Sequence, residues 1–195
     1  IENRQKINDG DLVLIDAGCE YEDYASDITR TFPINGQFSS AQAAIYDIVL
    51  QAQLEAIAKI VPGATYNVAN DATVAVITAG LRDVGILDGE VNELIELEAY
   101  KDFYMHSSGH WLGMDVHDVG DYKIDNQWRV YEPGMVVTVE PGIYISPDNS
   151  NVDEKWRGLA VRIEDDIALT KTGCEDLTAG VPKIRSEIEL LMATE

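Results

Sequence analysis

The chain has 195 residues, 46% of them hydrophobic and 25% charged, with 14 Lys plus Arg against 35 Asp plus Glu and a formal net charge of −21. Such an acid excess repels a nucleic-acid backbone or an anionic membrane and admits metal cations. The length fits one domain or a part of a longer chain, and apolar stretches such as residues 135–139 fall far short of the ~20 residues that span a bilayer.

The start, from Ile1 to Lys6, is polar and carries no signal-peptide pattern. The run 11–17, Asp-Leu-Val-Leu-Ile-Asp-Ala, reads as a strand that follows the turn signal Asn8-Asp9-Gly10. Residues 18–23 read as a turn and 24–32 as a second strand stopped by Pro33, so the two form an antiparallel hairpin. Ser39 or Ser40 caps a helix over 41–61, which Pro62-Gly63 ends. Its residues Ala44, Ile45, Ile48, Val49, Ala52 and Ala56 recur at helical spacing. Asn67 or Asn70 starts a second helix that runs to Val84, and residues 90–100 read as a third.

After Lys101 the pattern changes. All three histidines, His106, His110 and His117, fall within residues 105–120. Residues 134–145 read as a strand pair interrupted at Pro141-Gly142, 158–169 as another strand, and 186–193 as a short terminal helix. Hairpin, helices and then strands indicate an α+β domain rather than regular βαβ repeats. Cys19 and Cys174, far apart, are no disulfide framework, and a reducing, cytoplasmic setting is the expectation.

Four carboxylates lie inside or beside apolar strands. Asp16 shares a face with Leu12 and Leu14, because residues i and i+2 point the same way. Asp27 shares one with Ala25 and Thr29. Glu140 ends the run Val136-Val137-Thr138-Val139, and Glu164 follows Leu159 to Ile163, with Arg162 on its own face. A single such residue is usually solvated or caps a turn. Four together, with a histidine, would repel one another unless cations intervened. Two divalent ions would balance them, and oxygen-rich ligation with one imidazole suits Mn²⁺, Co²⁺ or Zn²⁺. No Glu follows His106, so the zincin motif His-Glu-x-x-His is absent, and there is no Asp-rich calcium loop.

Four blocks carry a resemblance. They are Leu14-Ile-Asp-Ala-Gly-Cys-Glu-Tyr with Ser26-Asp-Ile-Thr-Arg-Thr-Phe-Pro; His110-Trp-Leu-Gly-Met-Asp-Val-His-Asp-Val-Gly; Val139-Glu-Pro-Gly-Ile-Tyr; and Val161-Arg-Ile-Glu-Asp-Asp. In this order they resemble the pita-bread metallopeptidases, and within them the Xaa-Pro aminopeptidases. The resemblance implies a curved antiparallel sheet with flanking helices. It implies two metal ions, usually manganese, held by Asp16, Asp27, His110, Glu140 and Glu164, with Asp27 and Glu164 bridging. It also implies that a bridging water attacks the scissile carbonyl and Glu140 takes its proton. His117 would then hydrogen-bond the substrate, His106 would line the proline pocket, Arg162 would pair with Asp16 or substrate carboxylates, and Tyr144 would support the centre.

By the same resemblance, residues 1–195 are the C-terminal part of the catalytic domain. A separate N-terminal domain, further elements ahead of the Asp16 strand and another active-site histidine would lie upstream. Ser107 departs from the glycine that bacterial relatives tend to carry there. The expected substrate is a peptide with proline in second place, and the full-length enzyme is expected to be a homo-oligomer that binds neither nucleic acid nor membrane. The alternatives are a prolidase, acting on Xaa-Pro dipeptides, and a metal-free binding module on the same fold.

Overall fold

The computed structural model describes Arg4 and residues 6–193, so most of the polar start lies outside the described residues. In chain order the first strands are β1 (Leu12–Ala17), β2 (Glu20–Tyr21), β3 (Tyr24–Ala25) and β4 (Ile28–Pro33). β1 and β4 pair antiparallel from Leu12 opposite Pro33 to Ala17 opposite Ile28. The expected turn over 18–23 holds a small hairpin of its own. β2 pairs with β3, and Glu22 and Asp23 between them take left-handed backbone (φ 49° and 70°), the conformation of tight hairpin turns.

The expected second strand over 24–32 is therefore two. It breaks at Ser26-Asp27, because the Asp27 amide donates to the Asp166 carboxylate (3.2 Å) rather than to a neighbouring strand. β4 also runs through Pro33 instead of stopping before it. At the edge of a ladder the missing amide of proline costs nothing.

Three helices follow: α1 (Ser40–Lys59), α2 (Asn67–Asp83) and α3 (Val91–Glu96). Ser39 caps α1 in a reciprocal capping box with Gln42. A side chain on Gly80 would meet Ile48, so that glycine allows α1 and α2 to pack closely. The third helix is shorter than the 90–100 expected. Glu98 adopts left-handed backbone (φ 53°) and only a 3₁₀ turn, Ala99–Asp102, continues the segment.

The second half holds β5 (Lys123–Ile124), β6 (Gln127–Trp128), β7 (Val136–Val139), β8 (Gly142–Tyr144), β9 (Ala160–Arg162), β10 (Asp165–Leu169), β11 (Cys174–Asp176) and α4 (Arg185–Met192). β10 lies between β7 and β11, and β8 pairs with β9. The expected single strand over 158–169 is broken at Ile163-Glu164. There Glu164 makes an isolated bridge to Thr29 of β4.

The expected curved antiparallel sheet with flanking helices is present in part. Among the described residues it consists of short antiparallel ladders stitched by single bridges, and the chain turns aside at Asp27, Glu140 and Glu164. Only Asp16 of the four carboxylates lies within a strand. Asp27, Glu140 and Glu164 lie beside strands, at the breaks.

Two apolar cores flank the breaks. Ile45, Tyr46, Val49, Ile77, Leu81, Ile143, Val161 and Ile163 join α1 and α2 to β8 and β9. Ala56, Ile60, Trp111, Val137, Val139 and Ile167 pack beneath β7 and β10. Among the described residues no helix is long and apolar enough to cross a membrane.

Candidate metal centre

The strand breaks converge. Asp16, Asp27 and Glu164 bring potential ligand atoms within 4.8 Å of one another, as do His110, Glu140 and Glu164, and also Asp27, His110 and His117. Because Asp27, His110 and Glu164 each belong to two of these triplets, all five residues singled out as metal ligands lie in one cluster. His117 joins it, closer than its expected role in substrate binding required. Its ring lies 4.1 Å from that of His110.

Each group is aimed by a second one. His110 Nδ1 faces the Trp111 carbonyl at 2.9 Å. A carbonyl only accepts, so Nδ1 carries a proton, and Nε2 is the nitrogen turned toward Asp27 (3.4 Å) and Glu140 (3.6 Å). Thr29 Oγ1 donates to Glu164 at 2.6 Å and accepts from Arg162 Nε at 3.2 Å. Arg162 also pairs with Asp16 and donates to the Tyr144 hydroxyl at 3.1 Å. That hydroxyl lies 2.9 Å from His106 Nε2, whose other ring nitrogen faces the Ser107 carbonyl at 2.8 Å. Arg162, Tyr144 and His106 thus form a directed chain along the rim.

Charge in the cluster is out of balance. Glu164 is only 1% exposed, and burial, together with Glu140, Asp27 and Asp16, pushes its pKa up to about 8 against the pull of Thr29. Burial also raises Glu140, although His110 and Arg162 oppose this. For Asp27 burial acts upward, but hydrogen bonding and charge attraction from His110 leave it below the ordinary range. Burial would lower His110, yet Asp27, the Trp111 carbonyl and Glu140 hold it up at about 9. His106 is lowered by burial and by Arg162, against the pull of the Ser107 carbonyl.

Four carboxylates of which three are buried or nearly so, and an imidazole whose Nε2 faces two of them, are a donor set that fits divalent cations. An imidazole that must become protonated to balance its neighbours is the arrangement a cation would replace.

Several contributors escaped the sequence reading. Thr29 and Asp166 orient Glu164 and Asp27, yet a threonine on a strand carries no signal of its own. Thr138 Oγ1 accepts from the His110 amide at 3.1 Å and sits 3.5 Å from Glu140. Asp165 and Asp166 stand in the quoted block beside Glu164. Their presence in an otherwise apolar strand was the available signal.

The pattern of metallopeptidase family M24 matches residues 1–171. A Xaa-Pro aminopeptidase from Haemophilus influenzae is 58% identical over 98% of this chain and 44% of its own length. One from Escherichia coli is 54% identical over 98% and 43%. The structure of the Pseudomonas aeruginosa aminopeptidase PepP superposes with a TM-score of 0.97 at 64% identity, covering 98% of this chain and 43% of that one. The chain therefore spans less than half the length of these relatives and holds part of their pita-bread α+β fold. The family match takes in every residue of the cluster, and on that ground the chain belongs to metallopeptidase family M24.

Proposed function

We propose that this chain forms the metal-binding part of the catalytic domain of a Xaa-Pro aminopeptidase, a dinuclear metallopeptidase that releases the N-terminal residue from peptides with proline in second place. The convergence of Asp16, Asp27, His110, Glu140 and Glu164 carries the reading. These five would hold two divalent ions, Mn²⁺ before Co²⁺ or Zn²⁺ on the hardness of the oxygen donors. Asp27, His110 and Glu164 would contribute from positions common to two triplets. Bound there, the ions would supply Lewis acidity and a water acidic enough to attack at neutral pH.

The side chains divide the remaining work. Glu140, its basicity raised by burial, accepts the proton of the attacking water as a general base. His117, beside His110 at the open end of the cluster, donates to the substrate carbonyl oxygen as charge develops on it. His106 and the aromatic faces of Tyr66, Tyr104 and Trp128 line a cavity of about 400 Å³, suited to the proline ring and the residue after it. Arg162 holds Asp16 and, through Tyr144, fixes the His106 ring.

The parent protein is read as a homo-oligomer of a reducing, cytoplasmic compartment, which agrees with the free state of Cys19 and Cys174. The net charge of −21 on this chain does not favour nucleic-acid or membrane partners. The test is to load the full-length protein with Mn²⁺ and offer three substrates: a tripeptide with proline second, a tripeptide without proline and a Xaa-Pro dipeptide. Release of the first residue from the proline tripeptide is expected. Cleavage of the dipeptide alone would make the protein a prolidase. A protein that binds no metal and cleaves nothing would be a binding module.

A further inference from the structure

Behind the cluster, on the side away from the cleft, lies a second ionic group that the proposed chemistry does not use. Asp165 is fully buried and Arg30 is 8% exposed. The guanidinium has five N–H donors, and each has an acceptor. Nε donates to the Pro182 carbonyl (3.1 Å), Nη1 to the carbonyls of Thr29 (3.0 Å) and Glu164 (2.7 Å), and Nη2 to Asp165 (2.7 Å) and the Val181 carbonyl (2.8 Å). Asp165 is equally saturated. It also accepts from Thr178 (2.6 Å), Gln53 (2.8 Å) and Lys183 (2.6 Å).

We infer that Arg30 is a positioning residue for the metal centre. It locks the backbone of Thr29 and Glu164 from behind and straps the segment around Val181–Lys183 to them. This inference rests on the reading of Glu164 as a metal ligand. Glu164 sits at a break, where no regular ladder fixes it. Its amide donates to the Thr29 carbonyl at 3.1 Å and its carboxylate accepts from Thr29 Oγ1. Thr29 therefore sets Glu164 at both ends, and Arg30 holds both residues by their carbonyls. The strap, at Val181 and Pro182, thereby closes on the Thr29 and Glu164 backbone through the same guanidinium. Metal centres need their ligands within ~0.5 Å of place, and five hydrogen bonds from one rigid planar group deliver that. Lysine at position 30 would keep the charge facing Asp165 but could not span two carbonyls and a carboxylate at once.

The test uses the full-length protein with Arg30→Met, Arg30→Lys and, as a remote core truncation, Leu81→Ala. Mn²⁺ binding is followed by calorimetry, the Co²⁺ form by its visible spectrum and folding by thermal melts. Arg30→Met is expected to weaken Mn²⁺ binding by ~10–100-fold, the range for lost support of metal ligands, and to shift the Co²⁺ bands. Arg30→Lys is expected to recover melting temperature more than metal affinity, and it keeps the question open to refutation should Arg30→Met not fold. Leu81→Ala is expected to melt earlier with unchanged affinity. Wild-type affinity and spectrum in a folded Arg30 variant would overturn the inference, as would an equal loss in Leu81→Ala. If the wild-type protein binds no Mn²⁺, the metal reading itself falls, and this inference falls with it.

Discussion

Gly109 is a point of close backbone approach next to the cluster, and its replacement by alanine tests whether the site depends on a fixed spacing. A Cβ built there would lie 2.0 Å from the Thr138 carbonyl oxygen and 2.9 Å from its carbon, whereas real Cβ contacts essentially never fall below 3.0 Å. The two segments would have to part by roughly 1 Å. They are joined by Glu140 N to the Ser108 carbonyl (2.8 Å) and Thr138 N to the His110 carbonyl (3.0 Å), and such bonds do not survive that displacement. Overpacking of this kind costs about 1–3 kcal/mol of stability. The same shift moves His110 away from Glu140, now 3.6 Å apart. A misplacement of about 1 Å costs on the order of 10²-fold in turnover. In the full-length protein, Gly109→Ala should therefore fold with a lowered melting temperature, bind Mn²⁺ more weakly and lose about two orders of magnitude in kcat/KM on a proline tripeptide. A folded variant within threefold of wild type would show that the 108–110 segment does not set the geometry of the site.

Truncation at either end of the same pair should be harsher. His110→Ala or Glu140→Ala should abolish turnover in the full-length protein, and retention of wild-type kcat in either would remove that residue from the mechanism. Metal should also stabilise: at 100 times its dissociation constant, a cation bound only by the folded state adds about 2.7 kcal/mol. Mn²⁺ should therefore raise the melting temperature and a chelator reverse the rise; an unmoved melting curve would mean that the carboxylates hold no ion. Alkaline pH should act elsewhere. Burial raises the pKa of Tyr46 and Tyr131 above the ordinary phenol value. The fold then favours their neutral form, so the stability they confer is complete below about pH 10 and is lost as pH climbs through their folded values. Tyrosinate absorbance should rise in two stages, the later one together with loss of circular dichroism. All nine tyrosines ionising near pH 10 in an intact fold would contradict this.

Local patterns told most where local physics decides. The Ser39 capping box, the apolar stripe of α1 and the β1–β4 hairpin are each read from local pattern, and the structure follows them. The short hairpins β2–β3 and β5–β6 were not foreseen. Each turns through two left-handed non-glycine residues, Glu22-Asp23 and Asp125-Asn126. Asp and Asn tolerate that conformation, but without glycine they do not advertise a turn. The strand breaks were illegible for another reason. A run such as Leu159 to Leu169 reads as one strand because its residues suit one. It is interrupted by partners far away in sequence, with Glu164 turned toward Thr29 and Asp165 toward Arg30.

The run Glu164-Asp165-Asp166 shows where sequence reasoning about the site stops. The anomaly itself was plain, since three acids in succession in an apolar strand demand partners. Alternation along extended backbone separates Asp165 from its two neighbours. It does not say which face meets the cleft, because both faces are buried here. The surroundings decide. Glu164 faces three other acids and no lysine, and it stays unbalanced, with its pKa pushed up to about 8. Asp165 faces Arg30 and Lys183 and is held below the ordinary range, although burial alone would raise it. Asp166 spends one oxygen on the amide of Asp27 and so orients a second carboxylate of the cluster. Identical chemistry in sequence thus becomes three roles: a candidate ligand, an anchor and an orienting acceptor. An anchor is recognised by full compensation of its charge inside the protein. Glu164 is marked by the opposite, a buried acid that its neighbours leave short of positive charge, which a bound cation would supply.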